Sequence, residues 1–360
     1  MASSMIGKKG FRTLQILARN KIISRQCQLP KNIRCVNLHT NQFSKRFHQA
    51  RISVGTSAMI GVFAAVGLTM VECHQEGGIK EEILQLIGAG KHDKNVGELG
   101  NNFLISAKDK AHLAFKLGLI TEEERCIVIV LSSKLMGEKY LQTGQVARAE
   151  SCFVEAMEAY KRLGIDKYDD ASLELVLRLT NCFAVSGREI EAKDSFDMII
   201  DTQLRKIKES KTKCPLSTYQ ILWATLQLYG RFLVMNKEYD EAENMFFIAD
   251  DVMQKASGED FHKRIDILTD LAGIKIVKQD FTGAEETFEK AIRIGEKENA
   301  PEVCFTYCYM ADLATRMNEF DKATEMCDKG LKLAEKLHDA KCHEKASLYL
   351  EKLKEAKQKR

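Results

Sequence analysis

Apolar residues recur along the chain at helical spacing, three or four positions apart, and small residues interrupt them at regular intervals. Taking Val130 as the first position of a unit, Gly137, Tyr140, Gly144, Ala149, Phe153 and Ala156 follow at positions 8, 11, 15, 20, 24 and 27. The order returns from Leu173 with Phe183, Gly187, Ala192 and Phe196, and from Trp223 with Gly230, Tyr239, Ala242, Phe246 and Ala249. It returns again from Ile265 with Ala272, Phe281, Ala284, Phe288 and Ala291, and from Cys304 with Ala311, Phe320, Ala323, Cys327 and Gly330. Small residues on one helix admit an aromatic from the next, so each unit predicts two antiparallel helices, A and B.

That pattern belongs to the tetratricopeptide (TPR) repeat, whose unit is about 34 residues. Five successive matches predict an all-α, TPR-like solenoid over 80–340. Its repeats fall near 130–163, 173–206, 223–256, 265–298 and 304–337, with a degenerate first copy near 88–121 that carries Ala107, Ala111 and Ala114. The position-20 alanines lie 43, 50, 42 and 39 residues apart, so helices or joints must be longer than standard. The widest step contains the basic segment from Lys206 to Leu216, read as a lengthened helix B ending at Pro215. Residues 341–360 read as a charged, solvated capping helix, which a solenoid needs where its last repeat has no neighbour.

Ahead of the repeats the pattern changes twice. Residues 1–51 are amphipathic and basic, with Phe11, Leu14 and Ala18 beside Lys8, Lys9, Arg12 and Arg19, and predict a disordered mitochondrial transit peptide that is removed on import. Ile52–Val71 is a run of 20 uncharged residues, long enough at ~1.5 Å per residue to span a ~30 Å hydrocarbon core. Eleven Lys and Arg precede Glu72, the first acid, so the positive-inside rule places the C-terminal part in the intermembrane space of an inner-membrane protein.

Composition sharpens this. The chain has 360 residues, 45% hydrophobic and 29% charged, and only three prolines, in keeping with helix. Its net charge of +3 belongs to the leader: after Val71 stand 43 bases against 51 acids, which argues against nucleic-acid binding. Eleven cysteines without period make no disulfide framework, and most are expected to pack as small hydrophobes.

No nucleotide, metalloprotease or hydrolase motif is present, and no catalytic residue, cofactor or small-molecule substrate is expected. Cys304 and Cys308, with His338 and His343 nearby, lack zinc-finger spacing, so no metal is expected. The acid pairs Asp169–Asp170 and Asp250–Asp251 read as solvated helix ends. The candidate site is instead the concave groove lined by helix A near positions 2, 5, 9 and 12. It is assigned to Lys134, Glu138, Leu141, Leu177, Asn181, Gln227, Arg231, Asp266, Thr269, Phe305 and Asp312. The basic clamp by which some TPR proteins hold a chaperone's C-terminal carboxylate is absent.

Three stretches resemble the mitochondrial tetratricopeptide repeat protein 19 family: Glu81–Ile87 (EEILQLI), Phe183–Glu209 (FAVSGREIEAKDSFDMIIDTQLRKIKE) and Asp270–Val303 (DLAGIKIVKQDFTGAEETFEKAIRIGEKENAPEV). The likeness covers about residues 80–340. Kinesin light chains have similar repeats, but the leader and span do not suit a cytosolic protein; the leader is shorter than in the vertebrate family form. The resemblance implies a non-enzymatic inner-membrane protein that binds respiratory complex III and supports turnover of Rieske iron–sulfur subunit fragments. The alternative is a general mitochondrial import or chaperone adaptor working through the same groove.

Overall fold

The computed structural model describes residues 77–92, 98–210, 214–255, 261–298 and 300–358. The expected leader and the uncharged run Ile52–Val71 lie outside them. Among the described residues no helix is long and apolar enough to cross a membrane.

Thirteen helices and no strand are found among the described residues. They are α1 (Gly77–His92), α2 (Glu98–Lys116), α3 (Glu122–Gln142), α4 (Val146–Arg162), α5 (Asp170–Val185), α6 (Glu189–Glu209), α7 (Leu216–Met235), α8 (Tyr239–Lys255), α9 (Phe261–Val277), α10 (Phe281–Lys297), α11 (Val303–Arg316), α12 (Phe320–Leu337) and α13 (Ala340–Gln358). Each helix packs chiefly on its neighbours in sequence, the contact pattern of a solenoid.

The five hairpins from α3 to α12 turn alike. Each turn is three residues long, and its middle residue is left-handed: Gly144 (φ 74°), Gly187 (φ 74°), Lys237 (φ 63°), Gln279 (φ 64°) and Asn318 (φ 64°). The next amide then donates back to a carbonyl five residues earlier, as Gln145 N does to Tyr140 O at 2.8 Å and Glu319 N to Ala314 O at 2.8 Å. Orphan carbonyls at the end of helix A are satisfied in this way. All five residues occupy position 15 of their units, so the backbone repeats in the register of the side chains.

Small residues let the two helices meet. A Cβ added to Gly137 would stand 2.5 Å from the Phe153 ring, and one added to Gly230 would stand 2.9 Å from Phe246. Phe153, Phe196, Phe246 and Phe288 are all buried, as are Ala149, Ala192, Ala242, Ala284 and Ala323. The second hairpin differs because buried Thr180 takes position 8, and α5 and α6 pack less closely than the others. Phe196 turns to the next hairpin instead, stacking on Tyr229 with centroids 4.8 Å apart. At the C-terminal end α13 is not solvated all round: Cys342, Ala346 and Leu353 are buried against α11 and α12.

Asp170 holds the joint within the widest step. It opens α5, and its carboxylate accepts from Lys206 Nζ (2.5 Å), Gln203 Nε2 (3.1 Å), Ser217 Oγ (2.6 Å) and Thr218 Oγ1 (2.9 Å), tying α6 and α7 together. The reading of the acid pairs as solvated ends is thus corrected for two of four residues. Asp169 caps α5 through Ala171 N and Asp251 is half-exposed, paired with Lys255 one turn on, but Asp170 is covered by α6 and α7. Asp250 is buried between Arg264 and Lys290, each at 2.7 Å.

Burial pushes the Asp170 carboxyl up, but its four donors outweigh burial and hold it below 3.8. A depressed carboxyl stabilises the fold above its unfolded value and loses that contribution as pH falls through the lower folded value. Asp170→Asn keeps the shape and removes the charge, and should cost about 1.5–3 kcal/mol near neutral pH. Denaturant unfolding at pH 7 and below pH 4 checks this: the gap between wild type and variant should narrow in acid. A gap independent of pH would mean that the charge is not what Asp170 contributes.

A polar seam on the helix A face

The helix A face is joined from repeat to repeat by polar contacts. Between α3 and α5, Lys134 Nζ donates to both carboxylate oxygens of Glu174 at 2.8 Å. Arg178 reaches Glu174 at 3.1 Å from Nη2 and binds Glu138 through Nε (3.0 Å) and Nη2 (2.5 Å). Between α5 and α7 the links are those of Asp170. Between α7 and α9, Gln227 (3.1 Å) and Arg231 (2.8 Å) both donate to Asp270 Oδ2. Between α9 and α11, Thr269 and Thr306 hydroxyls stand 3.4 Å apart.

Burial gives these groups their electrostatic character. The Arg178 side chain is 2% exposed and those of Lys134 and Glu174 are 7% and 6%. Burial and the neighbouring guanidinium hold the Lys134 ammonium below 10.5, although Glu174 opposes them. Burial alone would lower Arg178, but Glu138 and Glu174 outweigh it and raise it. Two cations face two carboxylates, so the cluster is neutral as a whole.

The expected groove residues therefore divide. Lys134, Glu138, Gln227, Arg231 and Thr269 lie in the seam, and Leu177 and Asn181 are buried in α5. Leu141 is half-buried beside the core of the first two hairpins. Asp266 is exposed on α9, and Asp312 is half-buried in a pair with Arg316 on its own helix at 3.0 Å. Phe305 packs over the cysteine cluster at α13, where Lys345 lies 5.5 Å from its ring centre. Sequence reasoning missed Arg178 and Asp270. Both stand at position 6 of their units, charged and flanked by leucine or isoleucine within two positions, and that was the available signal.

The described thiols include several raised by burial and a hydrogen-bonded trio in which Cys342 holds Cys304 and Cys308 below 9.0. All eight described cysteines are unpaired and buried. Burial pushes Cys152 up to about 11 and Cys182 and Cys327 up to about 12, away from the thiolate. Cys304, Cys308 and Cys342 meet between α11 and α13, where hydrogen bonding to the first two holds Cys342 protonated. No group of three or more His, Cys, Asp or Glu among the described residues is placed to hold a metal ion.

Stacked helical hairpins with one face of helices A running through every repeat define the chain as a TPR-like solenoid, a class of scaffold that generally binds proteins without catalysis. The fold agrees with two solved structures. Aspartyl phosphate phosphatase F from Bacillus subtilis has a TM-score of 0.53 and 14% identity, covering 90% of this chain and 80% of that one. The apo form of RapI has 0.55 and 11%, covering 86% and 79%. At such identities the likeness concerns the fold alone. No family profile matches the chain.

Curated relatives are more specific. The chain is 25% identical over 230 residues to tetratricopeptide repeat protein 19, mitochondrial, of Mus musculus, a match covering 62% of this chain and 63% of that protein. It is 23% identical over 231 residues to the protein of that name in Homo sapiens, covering 62% and 60%. The match spans about three-fifths of these relatives' own length. The resemblance read from the three sequence stretches is thereby confirmed.

Proposed function

We propose that the chain is a mitochondrial inner-membrane adaptor, held by Ile52–Val71, whose helix A face in the intermembrane space binds respiratory complex III and supports turnover of Rieske subunit fragments. The observation that carries this reading is the likeness to the mitochondrial tetratricopeptide repeat protein 19 sequences of several species. The seam adds a physical constraint. Charges already neutralised inside it are poor partners for a ligand, so recognition falls to its edges, where Asp266 is exposed and Asp312 and apolar Leu141 are half-buried. Such a mixed acidic and apolar edge suits a folded or helical protein surface and repels a carboxylate tail.

Affinity purification of the full chain from detergent-solubilised mitochondria tests the reading. Complex III subunits including the Rieske protein should dominate, and Asp266→Lys with Asp312→Lys should reduce their recovery at least several-fold, since like-charge contacts cost several kcal/mol. Recovery dominated by translocase or chaperone subunits would overturn the assignment in favour of an import or chaperone adaptor.

A further inference from the structure

The N-terminal end of the solenoid carries an apolar surface that no described helix covers. Around the turn between α2 and α3, Leu113 is 54% exposed, Leu117 62% and Leu119 48%, with Phe115 at 36%. Gly118 makes the turn possible at φ 71°, and exposed Lys116 stands beside it. One face of the Phe115 ring is covered by Arg125, whose guanidinium carbon lies 4.4 Å from the ring centre. Arg125 also pairs with Glu122 at 2.5 Å.

Because α1 and α2 are antiparallel, this turn lies at the end of the hairpin where α1 begins. Lys80, on the first turn of α1, pairs with Glu124 at 3.0 Å, and Lys80, Ile83 and Leu84 share a shallow cleft with Ile120, Glu124 and Val128. The uncharged run ending at Val71 is six residues before Gly77. Six residues reach at most about 20 Å. Whatever surface holds Ile52–Val71 is therefore within about 20 Å of the start of α1, at the same end of the hairpin as the turn. Leucine and phenylalanine at a tip, with lysine alongside, suit the boundary between headgroups and acyl chains, where the apolar groups leave water and the ammonium stays in it.

We infer that the α2–α3 turn, through Leu113, Phe115, Leu117 and Leu119, is a second membrane contact that rests the N-terminal end of the solenoid on the bilayer. The inference rests on Ile52–Val71 being a membrane anchor. Two points of attachment fix how the solenoid stands on the membrane, where an anchor alone leaves it to swing.

The sole native tryptophan, Trp223, is 3% exposed in α7 and supplies a constant background. Leu117→Trp is introduced into the full chain reconstituted in phosphatidylcholine vesicles, with Ile190→Trp as a control at a site 76% exposed at the start of α6. The emission added at 117 should be blue-shifted and lose most of its intensity when the acyl chains are brominated, and the emission at 190 should be water-like and unquenched. Water-like emission at 117 in a chain that resists alkaline extraction overturns the second contact and leaves the anchor standing. Blue-shifted emission without bromine quenching also overturns it, because a protein surface then covers the turn. Release of the chain by alkali overturns anchor and contact together.

Discussion

Glu174→Gln is expected to destabilise the solenoid by about 3–5 kcal/mol, because it leaves a buried cation without its counter-charge. Glu174 is the carboxylate that Lys134 grips through both oxygens, and it also meets Arg178. In the variant only Glu138 remains to balance two cations, and it is the more exposed carboxylate, at 27%. Glu138→Gln should cost less, since water replaces part of what is lost. Denaturant unfolding followed by helical circular dichroism compares the two. A loss below about 1 kcal/mol for Glu174→Gln, the range of surface pairs, would show that water screens the cluster. Replacing Lys134 and Glu174 together by methionine and leucine should recover much of the loss, because a buried pair adds little over apolar side chains of similar volume.

Phe153→Ala is the second large effect, at about 3–5 kcal/mol. The ring is fully buried and fills the space left by Gly137, so its removal opens a cavity lined by a backbone that has no side chain to fill it. Cys327 occupies position 24 of the fifth hairpin opposite Ala311, and Cys327→Ala removes one sulfur only; it should cost well under half as much. Urea unfolding measures both. Because a solenoid unfolds as coupled neighbours, the Phe153 variant should also lose α3 and α4 before the later hairpins, visible as protection lost there in hydrogen exchange. Equal losses at the two sites would show that the ring at position 24 is not the wedge between helices.

The hairpins were legible because their requirements are local and steric. Gly137, Phe153 and Ala149 lie within one unit, and the left-handed turn announces itself as Gly144 and Gly187. The same turn at Lys237 and Gln279 gave no sign, since those residue types do not favour a positive φ, and Asn318 tolerates one without demanding it. The seam was illegible for a different reason. Lys134 and Glu174 are 40 positions apart, as are Glu138 and Arg178, and one helix read alone offers no reason to pair them. Asp170 and Asp250 looked solvated because the groups that bury them come from the neighbouring helices. Lys134 and Arg231 were read as lining an open groove, yet their charges turn inward to the seam.

The three-residue turns have one more consequence, for how this chain can change its length. From Gly144 to Ala149, and at each corresponding place, the left-handed residue and the buried alanine are five positions apart; the 39 to 50 residue spacing varies through the outer ends of the helices and the joints between hairpins. An extra residue in a turn would rotate every apolar position of helix B by about 100° and turn Phe153 or Phe246 out of its slot. An extra residue between hairpins rotates nothing inside either. Lineages can therefore lengthen the outer ends of the helices or decorate the joints, as the 21-residue α6 already shows, while the turns stay fixed in length.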